Sequence, residues 1–376
     1  MFEGGTESCW GYIGGVVVKA AVFKGEGKLV IEDVPKPDLS KDLIIPKKYK
    51  PNEFVKVRKE ELVLLRVLAA GICGTDLHIL SVPPGHTATP GAILGHEFVG
   101  EVVDIGSEVD NVNVGDLVAV DPNIKCGKCW FCRNGYPNMC PEMTTLGIYG
   151  NGGFAEYAVV PAKQVYVLPR NMDIDKAVLF EPLTTAVHNW EKVNLKPGEN
   201  ILIFGAGPIG AFFIKLAQIS GANEIIVSEP SSLRREIARK LGATKVVDPI
   251  NEDVVEIVHS VTKYGVDVAI DASGVPVVIE QAVRALRPGG RLSLFGQQNI
   301  HAFADKVSFT LMNQKELHIF GSYAAAKSFD QTIEILKKRE TDDLKNIITH
   351  RLKLEDIHKG LELMRKKEAL KIVIYP

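Results

Sequence analysis

The run VVVKAAVFKGEGKLVIEDV, Val16 to Val34, reads as two short strands joined by a glycine turn. Asp38 to Lys59 interrupts the pattern. It carries seven basic residues, three acids, Pro46 and Pro51, and reads as an exposed basic loop. Strand-like sequence resumes at ELVLLRVLAAGI and continues to about Leu168 in short, Gly-punctuated runs such as FVGEVVDIG and DLVAVDP, the rhythm of a β-barrel-like domain. After Glu181 the period changes. ENILIFGAG, NEIIVSEP, TKVVD, VDVAIDAS, GRLSLFG and LHIFGS read as buried strands. Among them stand the helical runs PIGAFFIKLAQISGA, SLRREIARKLGA, EDVVEIVHSVT and PVVIEQAVRALRPGG. This alternation predicts a doubly wound parallel α/β sheet of six strands. The expected organisation is a β-rich domain over 1–182, the α/β domain over 183–322 and a C-terminal segment over 323–376. That last segment holds the helical FDQTIEILKKRE and IHKGLELMRKKEA and ends in the strand LKIVIYP. There is no internal repeat.

Composition narrows the class. Of 376 residues 46% are hydrophobic and 24% charged, ample for two cores. The net charge of −2 argues against a nucleic-acid or anionic-membrane binder, which needs a basic excess. No apolar run approaches the ~18 residues that span a bilayer. The leader MFEGGTESCWGYIGG has no basic residue before Lys19, unlike a secretory signal, and reads as poorly ordered. A cytoplasmic protein with reduced thiols is expected. Six cysteines are too few and too clustered for a disulfide framework.

Gly205-x-Gly207-x-x-Gly210, with Pro208 and Ile209 inside it, stands between the strand ILIF and a helix. Gly205 permits the turn, Gly207 lets the backbone approach a pyrophosphate and Gly210 allows helix–strand contact. The helix N-terminus then offers free N–H groups to phosphates. Glu229, about twenty residues on, is placed to accept the ribose hydroxyls. A carboxylate there repels a 2′-phosphate, which favours NAD over NADP. Arg234 and Arg235 lie just downstream, where they could reach a phosphate; Arg234 could instead flank the adenine, and Arg235 could be solvated.

Cys126-x2-Cys129-x2-Cys132-x7-Cys140 supplies four thiolates, a closed set of the structural zinc kind. The start resembles ferredoxin spacing, but seven residues precede the last cysteine where a ferredoxin has three, so zinc is favoured over iron–sulfur. Cys73, in AGICGTDLHI, and His96-Glu97, in LGHEFVG, are each unremarkable alone: a small core residue, a turn histidine and a surface charge.

Taken together, Cys73-GTDLH, Gly95-His96-Glu97, the four-cysteine loop and the later GAGPIG resemble the zinc-dependent medium-chain alcohol dehydrogenase family, from about Val18 to Pro376. The resemblance implies a GroES-like catalytic domain, completed by the C-terminal tail, with a Rossmann domain inserted and the active site in the cleft. It implies two zincs per chain and a homodimer or homotetramer. Cys73 and His96 would hold a catalytic zinc, with Glu97 a ligand or exchanging with water. Where the liver-type branch has a second cysteine this chain has Glu181, in FEPLTTAVH, a pattern similar to the polyol, butanediol and threonine dehydrogenases. Either Glu97 or Glu181 could complete the site, leaving a position for substrate.

In such an enzyme zinc lowers the pKa of the substrate hydroxyl, and the carbon gives hydride to the nicotinamide. Thr75 and His78 match the family's proton relay, and Asp76 reads as a helix cap. Sorbitol dehydrogenases typically carry a tyrosine where this chain has Ile79, and an arginine where it has Ala324-Ala325-Ala326. Their absence implies a smaller or less polar secondary alcohol than a polyol, with SEPSSLRRE and the sequence near the C-terminus similar to threonine and butanediol dehydrogenases. A zinc-free quinone-reductase or crystallin-like relative would lack Cys73, His96 or the four-cysteine loop, and all are present.

Overall fold

The computed structural model describes residues 15–297 and 303–376. The leader with Cys9 lies outside the described residues, apart from its last residue, Gly15. The chain forms two compact units, one from residues up to Glu181 together with Ile348–Pro376, the other Pro182–Ile347.

In the first unit the strands Val17–Gly25 and Lys28–Pro35 form the expected hairpin, turning through Glu26 and Gly27 in left-handed conformation. A larger sheet runs in the order Val165–Val167, Leu117–Val120, Glu97–Ile105, Leu62–Ile72, Lys371–Tyr375, Ile348–Lys353. Leu62–Ile72 is the hub. It is almost entirely apolar because both faces are covered, and it also pairs with Tyr157–Pro161. Register brings three strand ends together. Gly71 faces Glu97 on one side, and Ile72 faces Ile372 on the other. The core packs Val22, Leu65, Ile72, Phe98 and Phe154.

The basic stretch is not a loop. Leu43–Lys47 and Lys50–Val57 form an antiparallel hairpin, with Pro46 and Pro51 inside strands of a two-stranded sheet whose edges leave room for prolines.

In the second unit six parallel strands run in the order Lys245–Val247, Ile225–Ser228, Ile201–Phe204, Val266–Asp271, Leu286–Leu294, His318–Gly321. This is the doubly wound 3-2-1-4-5-6 order, and Ile201–Phe204, wholly buried, lies at the switch point where such sheets bind ligands. The helix predicted from PVVIEQAVRALRPGG stops at Ala285, and Leu286 already begins the next strand. The return to the first unit, expected at residue 323, comes at Ile348 instead. Among the contacts that join this segment to the second unit, buried Lys215, on the Pro208–Ile219 helix, pairs with Asp343 of the Arg339–Ile347 segment at 2.7 Å.

Candidate functional site

Cys73 follows the Leu62–Ile72 strand and caps the short helix Gly74–Ile79. Its backbone N–H donates to Asp76 Oδ2 at 2.8 Å, so Asp76 is the cap that the sequence suggests. His96 and Glu97 open the neighbouring strand after Gly95, whose φ is +92° and where a Cβ would meet the Phe154 ring at 2.7 Å. One ligand atom each from Cys73, His96 and Glu97 lies within 4.8 Å of the others. Glu181, in the first turn of the Phe180–Val193 helix, does not join that close set.

Sequence reasoning missed Lys371. It is 2% exposed, pairs with Glu97 Oε2 and donates to the Ile72 carbonyl at 3.0 Å. Gly71 makes the room, since a Cβ there would come within 2.3 Å of Glu97 Oε2. The available signal was a lysine heading the otherwise apolar run KIVIY.

Burial, and then the charge of Glu97, pushes the Cys73 thiol up. Burial likewise lifts Asp76 to about 6 and Glu181 to about 7, each against the pull of His96. Lys371 holds its proton more tightly than usual: burial opposes the charge, but Glu97 and Cys73 outweigh it. A thiol and three carboxyls thus crowd one ammonium in low dielectric, which calls for a further cation. Buried His96 Nδ1 and Asp76 Oδ1 lie 3.8 Å apart with no hydrogen-bond partner among the described residues. The carboxylate thus lies beside the imidazole without a hydrogen bond to it. Thr75 Oγ1 stands 3.7 Å from Cys73 Sγ, and His78 is exposed one turn later. No hydrogen bond joins Thr75 to His78 among the described residues.

The four cysteines converge, their sulfurs all within 4.8 Å of one another. Cys129 and Cys140 are 3.9 Å apart, close to the edge of about 3.8 Å that a tetrahedron of ~2.3 Å zinc–sulfur bonds requires. Backbone N–H groups of Cys126, Cys129 and Cys132 point at the sulfurs of Cys140, Cys126 and Cys129 at 3.4–3.5 Å, stabilising thiolates. Cys126 falls to about 7, because N–H groups of Lys128 and Cys129 overcome the effect of burial. Cys132 is pushed up to about 12 by burial and by Cys129. Four such sulfurs ionise together only around a cation.

In the second unit Gly205 has φ +91°, and a Cβ on Gly210 would sit 2.0 Å from the Gly205 carbonyl. Gly207 caps the helix that begins with Pro208 and Ile209, and a Cβ there would meet nothing within 4 Å, leaving the approach open. Glu229, 3% exposed, accepts N–H groups of Ala206 at 2.7 Å and Ser231 at 2.9 Å. An ionised carboxylate with two bonds keeps acceptor capacity for two hydroxyls. Arg234 is half-buried, with no ion pair among the described residues. Arg235 is not solvated: its side chain is 16% exposed, and its guanidinium is bound to the carbonyls of Glu229 and Pro230 and to Asp248.

Residues 59–170 match the model of the alcohol dehydrogenase GroES-like domain, and residues 208–338 that of the zinc-binding dehydrogenase. The chain is 38% identical over 333 residues to L-threonine 3-dehydrogenase of Caldanaerobacter subterraneus subsp. tengcongensis, covering 86% of this chain and 94% of that protein. It is 33% identical over 365 residues to sorbitol dehydrogenase of Bacillus subtilis, covering 96% and 97%. A solved zinc-binding dehydrogenase from Sinorhizobium meliloti bound to NADP superposes with a TM-score of 0.84 at 30% identity, over 96% of this chain and 100% of that one. With its two converging sets of metal donors and its six-stranded nucleotide sheet, the chain belongs to the zinc-dependent medium-chain alcohol dehydrogenase family and is an alcohol dehydrogenase.

Proposed function

We propose that this enzyme oxidises a small secondary alcohol of the L-threonine or vicinal-diol class to a ketone, with NAD as hydride acceptor. The observation that carries the reading is the buried meeting of Cys73, His96 and Glu97 beside Lys371. Zinc bound there supplies the Lewis acidity that brings an alcohol's pKa toward neutrality. Cys73 and His96 are its ligands, with Glu97 or Glu181 as the carboxylate. Asp76, beside His96, would favour the imidazole orientation in which its other nitrogen holds the metal. Lys371 restrains Glu97. Thr75 passes the alcohol proton on through a ribose hydroxyl of the cofactor to exposed His78, which delivers it to water. Cys126, Cys129, Cys132 and Cys140 hold the structural zinc.

NAD rather than NADP is supported by Glu229, whose carboxylate suits ribose hydroxyls and repels a phosphate. Gly205, Gly207, Pro208, Ile209 and Gly210 cradle the pyrophosphate, and Arg234 flanks the adenosine. The threonine class rests on the 38% relative and on Ala324–Ala326 at the position of the polyol-type arginine. Ile79 speaks less to it, being fully buried in the first unit.

A homo-oligomer is supported by the outer edge of His318–Gly321, which has no partner strand among the described residues. A cytoplasmic setting fits the five free thiols placed for metal among the described residues, where no helix is long and apolar enough to cross a membrane.

The test is a panel of L-threonine, 2,3-butanediol, sorbitol and simple secondary alcohols, with NAD and with NADP, read as reduced-nicotinamide absorbance. Zinc is counted alongside. We expect L-threonine or the diol with NAD to lead, two zincs per chain, and loss of one zinc with at least about a thousandfold of kcat in Cys73→Ser. Full turnover in Cys73→Ser would end the metal assignment, and a clear lead for sorbitol would end the substrate assignment.

A further inference from the structure

The cofactor corner holds an arrangement beyond the expected carboxylate. Ser228 and Val247 are paired in adjacent parallel strands, so the residues that follow them, Glu229 and Asp248, emerge side by side at the carboxyl ends of the sheet. Glu229 N–H closes the ladder on the Val247 carbonyl at 3.1 Å. Arg235, in the first turn of the Ser232–Lys240 helix, lies against both. Its Nη1 donates to the Glu229 and Pro230 carbonyls at 2.8 and 2.7 Å, and its Nη2 meets Asp248 Oδ2 at 3.1 Å. The side chains of Arg235 and Asp248 are 16% and 19% exposed. Asp248 is itself held: Oδ1 accepts the Ile250 N–H and Oδ2 the Asn251 amide, both at 3.1 Å, while its own N–H donates to Glu252 at 2.7 Å.

We infer that Asp248 is a positioning residue for cofactor selectivity: it latches Arg235 against the strand end and so withholds that cation from a 2′-phosphate. This rests on the reading of NAD as cofactor and adds a second determinant to Glu229. A 2′-phosphate dianion needs a guanidinium fork turned toward it. Here the fork is turned onto two carbonyls and a carboxylate. An isosteric amide at 248 removes the charge that holds Nη2 and so loosens the latch, whereas the ribose hydroxyls of NAD feel the change little.

The experiment compares wild type, Asp248→Asn, Asp248→Ser, Arg235→Gln and the double variant Asp248→Asn/Arg235→Gln, all zinc-loaded. It reads kcat/KM with NAD and with NADP, and dissociation constants of NADH and NADPH by fluorescence titration. We expect both Asp248 variants to raise the NADP/NAD ratio of kcat/KM about tenfold, the equivalent of one charge-assisted hydrogen bond. The NADPH/NADH affinity ratio should rise in parallel. Arg235→Gln alone should leave both ratios within twofold, because that cation is already committed, and the double variant should lose the gain. A ratio unchanged in both Asp248 variants, a gain that survives in the double variant, or a shift in Arg235→Gln alone overturns the latch. A wild type that prefers NADP overturns the NAD reading instead, and the two failures are read from different proteins.

Discussion

His188 lies in the Phe180–Val193 helix, 8% exposed, and neither ring nitrogen has a hydrogen-bond partner among the described residues. Burial, helped by Lys192, lowers its pKa to about 4. An unfolded chain protonates this histidine near 6.5 and the folded one only near 4, so between those values the unfolded state binds the extra proton. The contribution is therefore intact above about pH 6.5 and is lost as pH falls toward 4. We predict that His188→Leu flattens this part of the stability–pH profile, measured as urea midpoints from pH 7 to 4.5. An unchanged difference between variant and wild type across that range would refute the assignment. His188, like Lys371, escapes sequence reading because a histidine or lysine in an apolar run shows neither its burial nor its partners. Gly205 and Gly210 are legible, because their roles follow from local backbone geometry alone.

At the scale of elements, the Leu43–Val57 hairpin binds the exit of the four-cysteine loop. Lys47 and Lys50 both pair with Glu142, the Lys48 N–H donates to the Met143 carbonyl at 2.8 Å, and Thr144 Oγ1 donates to the Pro46 carbonyl at 2.6 Å. Lys47, Phe54 and Val55 also face Ile124 and Cys126 across a cavity of about 220 Å³ at the loop's entrance. Lys47 and then Lys50 hold Glu142 down to about 2, so the clamp stays charged at any ordinary pH. Glu142→Gln should release the structural zinc several-fold faster to a colorimetric chelator, and high salt should narrow the difference. Equal release rates would mean that the hairpin leaves the metal loop unsupported. The hairpin is hidden in the sequence because Ile45 is its one fully buried residue, so hardly any apolar alternation marks its strands. Its stability comes from contacts to residues about 95 positions away, which no local window contains.

At the scale of the molecule, the six-strand sheet ends in His318–Gly321 with its outer edge unpaired among the described residues, Ile319 37% exposed and Phe309 80% exposed nearby in sequence. Open edges invite pairing with another chain. We predict that light scattering gives a multiple of the 41.1 kDa chain mass and that Ile319→Glu lowers it. A wild-type monomer would dismiss the oligomer. The unit boundary belongs to this scale as well. The segment from 323 to 347 reads as a tail by position, yet contacts such as that of Lys215 with Asp343, 128 residues apart, join it to the nucleotide-binding unit.

By itself the sequence determined the strand–helix alternation of the nucleotide sheet, the glycine turn at its switch point and the four-cysteine loop. Each is a short-range pattern whose meaning lies in spacing. Cys73, His96 and Glu97 were legible only as members of a family pattern, because each alone has an ordinary explanation. The tertiary structure decided what depends on distant strands meeting. Antiparallel and parallel register around Leu62–Ile72 set Glu97 against Gly71 and brought Lys371 from the far end of the chain onto it, and pairing of Ser228 with Val247 set Asp248 beside Glu229. Such neighbours are made by register and burial, which are properties of the assembled sheet.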